Sequence, residues 1–224
     1  MRIRLQMQRR KDGKQMEAHY SGKWEDYFKH RDFVHHVGFY APDWKAFVEK
    51  HHRIFGSGPF YYTTNTFGQL LYYGEEVDCA GLEFHAAYGA WGSHSVEVVE
   101  QVPKDVPTMF RAGNDMDAVG INHLHMFVED LAEAEHACQV LEIPVATVGY
   151  PDLTNALKKA EATGTSKEDI LANAGKPSFM VVDMRKALGM MVQLITPRAK
   201  RLHDAILRAA TDWDGETDLL RRLG

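Results

Sequence analysis

Two stretches of this chain set ionisable side chains inside apolar, strand-like runs: VHHVGFYAPDWKAF from Val34 and INHLHMFVEDLAEA from Ile121. Laid over one another without a gap, they put His36 on His123 (123 − 36 = 87), Asp43 on Asp130 and Trp44 on Leu131. A second pair follows, SVEVVEQVP from Ser95 against MVQLITPR from Met191, and puts Glu97 on Gln193 (193 − 97 = 96). Imidazoles, carboxylates and carboxamide oxygens are groups that ligate divalent metals, and the first two also move protons. One histidine in an apolar run is usually a core residue. Matched histidines in a repeat point to a site, with a pair of satisfied core histidines as the alternative.

The elements that must position these residues follow from the same runs. Each leading stretch reads as a strand and then a helix, with Asp43 and Asp130 at the N-cap positions ahead of WKAFVEKHHRIF and LAEAEHACQVL. Strand alternation puts Val34, His36, Gly38 and Tyr40 on one face, and Ile121, His123, His125 and Phe127 on the matching face. Val96 and Val98 point away from Glu97, as Val192 and Leu194 do from Gln193. Each copy therefore offers one polar residue from its first strand and one from its last: His36 with Glu97, and His123 with Gln193. A buried, unpaired Glu97 would be costly, and a divalent cation where the four converge would offset that cost.

The copies read as two βαβββ modules, giving an α+β fold in which a curved mixed sheet surrounds a cleft. The first module spans 32–103, with strands near 33–41, 59–73 (splitting around Gly68), 82–91 and 94–101. The second spans 118–197, with strands near 120–128, 143–149, 177–183 and 189–196. Its extra residues (96 − 87 = 9) fall in a helical insert, 150–178, where Thr165 and Glu168 form a capping box and Gly175 suits a helix C-terminus. Residues 1–31 form an N-terminal extension, read as a solvated basic arm. Residues 198–224 form a helical tail, with Leu202, Ala205, Ile206 and Ala209 on one face, packing on the domain or on a second subunit.

Composition narrows the class. The 224 residues carry 45% hydrophobic and 25% charged side chains and a net charge of −5, which is ordinary for a globular protein and gives no reason to expect a nucleic-acid partner. No apolar run approaches the ~18–20 residues of a membrane span, and no signal-peptide core of ~7–15 residues follows the basic start. Cys79 and Cys138 form no CxxC pair, and a cytoplasmic protein with free thiols is expected.

The pieces HHVGFYAPDWKAF, GPFYY, VEVVEQV, INHLHMFVEDLAEA and VDMRKALGMMVQLITP resemble the vicinal oxygen chelate superfamily (glyoxalase, bleomycin-resistance and dioxygenase proteins) over about residues 32–197. The look is nearest to methylmalonyl-CoA epimerase-like and lactoylglutathione-lyase-like members. The resemblance implies one divalent metal ion (Fe, Mn, Co, Ni or Zn) held by His36, Glu97, His123 and Gln193, and an isomerase, epimerase or lyase-type proton transfer on a carbonyl-containing small molecule. It also implies a homodimer. Such members usually carry Glu where this chain has Gln193, and an amide cannot take a proton. Glu97, His125, His85 and a metal-bound hydroxide are then the candidate bases. Tyr40, Phe127 and Met191 share the expected cleft face and are candidate substrate contacts, while His35 is expected to face a helix or solvent. The alternatives are an Fe(II)-dependent ring-cleaving dioxygenase of an aromatic diol, since two histidines and a carboxylate suit oxygen chemistry, and a non-catalytic, antibiotic-binding protein.

Overall fold

The computed structural model describes residues 34–163, 166–196 and 200–223. The basic N-terminal arm and Thr165 of the expected capping box lie outside them.

The first module forms β1 (His36–Tyr40), α1 (Trp44–Phe55), β2 (Phe60–Asn65), β3 (Phe67–Tyr72), β4 (Glu75–Val77), β5 (Glu83–Trp91) and β6 (His94–Val102). A short helix α2 (Met109–Gly113) leads to the second module: β7 (Gly120–Phe127), α3 (Leu131–Val140), β8 (Val145–Pro151), α4 (Leu153–Thr163), α5 (Lys167–Ala172), β9 (Phe179–Met184), α6 (Arg185–Leu188) and β10 (Met190–Ile195). The tail forms α7 (Lys200–Thr211) and β11 (Leu220–Arg222).

Local chemistry accounts for the matched starts. Asp43 accepts from the Ala46 amide, and Asp130 from the amides of Ala132 and Glu133, so each carboxylate satisfies donors that the first helical turn leaves free. Helix α1 stops at Gly56, whose φ of 65° lets the chain turn away without a Cβ clash.

All strands join one sheet in the order β11-β2-β5-β6-β1-β7-β10-β9-β8-β3-β4. The two modules meet edge to edge where β1 pairs antiparallel with β7; each of these strands also pairs in parallel with the last strand of its own module, β6 or β10. The expected split of the 59–73 segment falls at Thr66, not at Gly68. Its two halves go to opposite ends of the sheet: β2 pairs with β5, and β3 with β8 of the other module. Asn65 and Phe67 are only two residues apart, so the sheet must curl until its ends meet. Helices cover its outer face. Trp44, Phe47 and Val48 of α1 pack on Val96 and Val98, and Leu131, Ala134 and Cys138 of α3 pack on Val192 and Leu194. The cup encloses a third cluster that includes Tyr40, Phe84, Phe110, Phe179 and Met191.

The amphipathic tail helix is present and packs on β5 and β6. Its buried positions are His203 and Ile206, whereas Ala205 is exposed; the apolar-face reading overlooked the histidine. Both cysteines are free, and among the described residues no helix is long and apolar enough to cross a membrane.

Candidate metal centre

The β1–β7 seam brings the two leading strands into a fixed register. His36 lies opposite His125, and Gly38 opposite His123. On the flanking strands Glu97 lies beside Gly38, and Gln193 beside His125. Gly38 is a requirement of this packing: a Cβ there would stand inside the His123 ring. With that space open, three ligating atoms converge. Glu97 Oε2 lies 3.1 Å from His36 Nε2 and 3.0 Å from His123 Nε2, and the two nitrogens are 3.3 Å apart. All three residues are at most 4% exposed. Edges this short let three protein atoms share one cation at the usual ~2.0–2.2 Å.

The hydrogen bonds around His123 fit that use. Asn122 donates through Nδ2 to the Met109 carbonyl (3.2 Å) and to Asn114 Oδ1 (2.7 Å). Its Oδ1 must then accept from His123 Nδ1–H at 3.0 Å. A neutral ring so fixed aims the Nε2 lone pair at the centre, the arrangement found for metal-ligating histidines. Asn122 is an unexpected participant. A β-bulge between Gly38 and Phe39 skips it in the β1–β7 register, so it turns inward (2% exposed) while Ile121, expected on the cleft face, is 55% exposed.

Burial alone would push the Glu97 carboxyl up. Where, without an ion, the Nε2 atoms of His123 and His36 carry protons instead of offering lone pairs, their hydrogen bonds and charge outweigh burial and hold it well below the usual carboxylate range. His36 is held down, chiefly by burial and against the pull of Glu97. Tyr88, opposite Glu97 on β5, keeps its proton because burial and then the Glu97 charge raise it well above its ordinary value.

A cavity of about 320 Å³ opens from Glu97, Tyr88 and Gln193 toward the place where the sheet ends meet. Phe67, Phe84, Phe110 and Phe179 line it, and among the described residues no Lys or Arg does. The helical insert contributes Asp152, Asn155 and Ala156 to its wall. Thr66 donates to Asp152 (3.2 Å) and accepts from Asn155, fastening the insert across the β2–β3 break.

The other expected residues lie elsewhere. Gln193 reaches the cavity, and its buried Oε1 has no hydrogen-bond partner. Tyr40 and Met191 are fully buried in the inner cluster, where the Tyr40 hydroxyl donates to the Met116 carbonyl. Phe127 packs on His35 and His125. None of these three lines the cavity, and neither does His125, which is fully buried and stacked on His36. His85 sits off the cavity beside Thr64 and Glu83. The His35 ring faces helix α7, meeting His203 there, and also meets His125 and Phe127.

No protein-family model and no curated protein matches this chain. Similar solved structures include methylmalonyl-CoA epimerase from Mycobacterium tuberculosis, at 13% identity over 76% of this chain and 91% of that one, with a TM-score of 0.43. A mutant 4-hydroxymandelate synthase from Streptomyces coelicolor matches at 13% identity over 80% of this chain and 54% of that one, with a TM-score of 0.40.

Proposed function

We propose that this protein is a metal-dependent enzyme of the vicinal oxygen chelate kind, acting by proton transfer next to a carbonyl on a neutral, largely apolar small molecule. The observation that carries the reading is the buried His36–Glu97–His123 group, whose Glu97 lines an aromatic cavity. His36, Glu97 and His123 hold the divalent ion, and the unpartnered Gln193 Oε1 is the fourth ligand. The ion supplies Lewis-acid polarisation of substrate oxygens, and with one carboxylate in place of two the site keeps a net positive charge. Tyr88, holding its proton, donates a hydrogen bond to the oxygen on which negative charge grows. Among the described residues Glu97 and Asp152 are the carboxylates that line the cavity, and Glu97, which belongs to the metal-ligating group, takes the proton. Among the described residues no Lys or Arg lines the cavity to receive a substrate carboxylate or phosphate, which supports a neutral substrate.

A second reading, ring cleavage of an aromatic diol by an Fe(II) dioxygenase, draws support from the two-histidine, one-carboxylate set and the phenylalanine walls. One experiment separates them. Protein loaded anaerobically with Mn(II), Co(II) or Fe(II) is offered neutral 1,2-diketones and hydroxyketones in deuterated water, and catechols in air. Deuterium entering the carbon next to the carbonyl, and lost in Glu97→Gln, is the expected result. Oxygen uptake on catechols with Fe(II) alone would favour the second reading. Failure of the purified protein to retain any of these ions at Glu97 would sink both.

A further inference from the structure

Behind the His36–Glu97–His123 group lies a second collection of imidazoles that the reaction above does not use. His35, immediately before β1, His36 of β1, His125 of β7 and His203 of α7 each place one ring nitrogen within 4.8 Å of the others. His36, His125 and His203 are at most 3% exposed. The rings are tightly grouped: His36 stacks on His125 at 4.4 Å between centroids, His125 on His203 at 5.4 Å, and His35 meets His203 edge-on at 4.7 Å.

The hydrogen bonding is what makes this group unusual. His35 Nδ1, His36 Nδ1, both nitrogens of His125 and His203 Nδ1 are buried with no partner. A buried polar atom left unsatisfied costs about 1–3 kcal/mol, and native proteins rarely hold several together. Packing offers no compensation that an apolar residue would not give better. The faces that surround the cluster carry phenylalanine and tyrosine, Phe127 and Tyr88, and no acceptor that pairs with these nitrogens. A cation bound among the rings would satisfy the unpartnered lone pairs together.

We infer that His35, His125 and His203, with His36 Nδ1 facing them, form a second metal site for a borderline divalent ion such as Zn(II), Co(II), Ni(II) or Cu(II). An all-imidazole set without carboxylate selects that class over magnesium or calcium. His36 then stands between two centres, with Nε2 toward Glu97 and Nδ1 toward the imidazoles. The contrast with His123 is instructive, because Asn122 occupies His123 Nδ1 whereas His36 Nδ1 is left open for the second ion. Binding would draw the four ligand atoms, which lie within 4.8 Å of one another, toward the ~3.3 Å spacing of a four-coordinate site, with His203 supplied by α7. The second ion thereby fastens the tail helix to the sheet.

The inference rests on residues other than the Glu97 centre, apart from His36, and the two can fail separately. The test is Co(II) titration of metal-free, full-length protein, followed by visible absorption. Wild type should bind two equivalents, one of them giving the intense bands of four-coordinate cobalt. His203→Ala and His125→Ala should each lose that equivalent and those bands and keep the other. Glu97→Ala should keep the bands and lose the other equivalent. His203→Gln guards against a variant that merely unfolds, with melting of the metal-free forms as the control. Two equivalents and unchanged bands in folded His203→Gln and His125→Ala would overturn the inference, as would a single equivalent in wild type that Glu97→Ala abolishes. A single equivalent that survives Glu97→Ala and vanishes in His203→Gln would uphold it and overturn the proposed function instead.

Discussion

The two modules present nearly the same backbone to the seam between them and fill it with different chemistry. In one, β1 and β6 supply His36 and Glu97, with Gly38 between them. In the other, β7 and β10 supply His123 and Gln193, with His125 at the place of Gly38. The registers match, Gly38 beside Glu97 and His125 beside Gln193. Because the strands run antiparallel across the seam, each histidine faces the other module's variable position. His123 faces a glycine and is free to reach the centre. His36 faces His125 and is stacked upon. A near-twofold backbone can thus carry one asymmetric site, provided one of the two facing positions lacks a side chain.

Gly38 should therefore be the position least tolerant of change. Gly38→Ala forces a methyl into the His123 ring; overpacking of this kind costs about 3 kcal/mol, and the variant should also lose the ion held by Glu97. Adding His123→Ala to Gly38→Ala restores room and should recover most of the melting temperature without recovering metal. If the single variant melts and binds metal like wild type, the seam is looser than its registers imply.

Exchange of Glu97 and Gln193, the residues that the last strands of the two halves offer, sharpens the comparison. Glu97→Gln removes the only carboxylate of the centre and should weaken metal binding by more than about 100-fold, the upper range for losing mere supporting groups. Glu97→Gln combined with Gln193→Glu returns a carboxylate from the other module and should restore a bound equivalent by calorimetry. Continued absence of metal in that double variant would mean that Gln193 does not stand at the fourth position. Asn122→Ala, which frees His123 Nδ1, should cost about 10–100-fold in affinity and leave the fold intact, whereas among the described residues His36 Nδ1 has no such partner to lose.

Much of this was legible in the chain. The repeated Asp caps and the strand alternation of His36, Glu97, His123 and Gln193 are local properties, and local properties survive in sequence. Three features did not show. The β2–β3 break sends neighbouring residues to opposite ends of the sheet, a choice made by pairing partners and not by the strand itself. Asn122 turns inward through a bulge, and strict alternation cannot register an extra residue. His203 comes from a helix outside the repeat, so no internal match could flag it. Its only signal was a polar residue beside the apolar stripe of α7.

The smallest effect concerns how each module joins its last two strands. In the first, β5 turns into β6 through Gly92 and Ser93, with Gly92 at φ 64° and no ion pair at the turn. In the second, the β9–β10 connection is clamped. Arg185 pairs with Asp183 at 2.7 Å, its Nη2 donates to the Tyr73 hydroxyl at 3.0 Å, and its Nη1 donates to the Ala112 carbonyl, tying β9 to β3 and α2. Hydrogen bonds from Arg185, assisted by Tyr73 and against burial, hold Asp183 down at about 2. A carboxyl depressed on folding contributes stability that is complete above its unfolded value of about 3.9 and is lost as pH falls through about 2. With Arg185 partly exposed, that contribution should be about 1–2 kcal/mol. Asp183→Asn should lower stability by that amount at pH 7 and flatten its pH dependence between about 4 and 2, measured by denaturant unfolding. The same slope in variant and wild type would show that the clamp adds nothing beyond what the uncharged turn of the first module achieves.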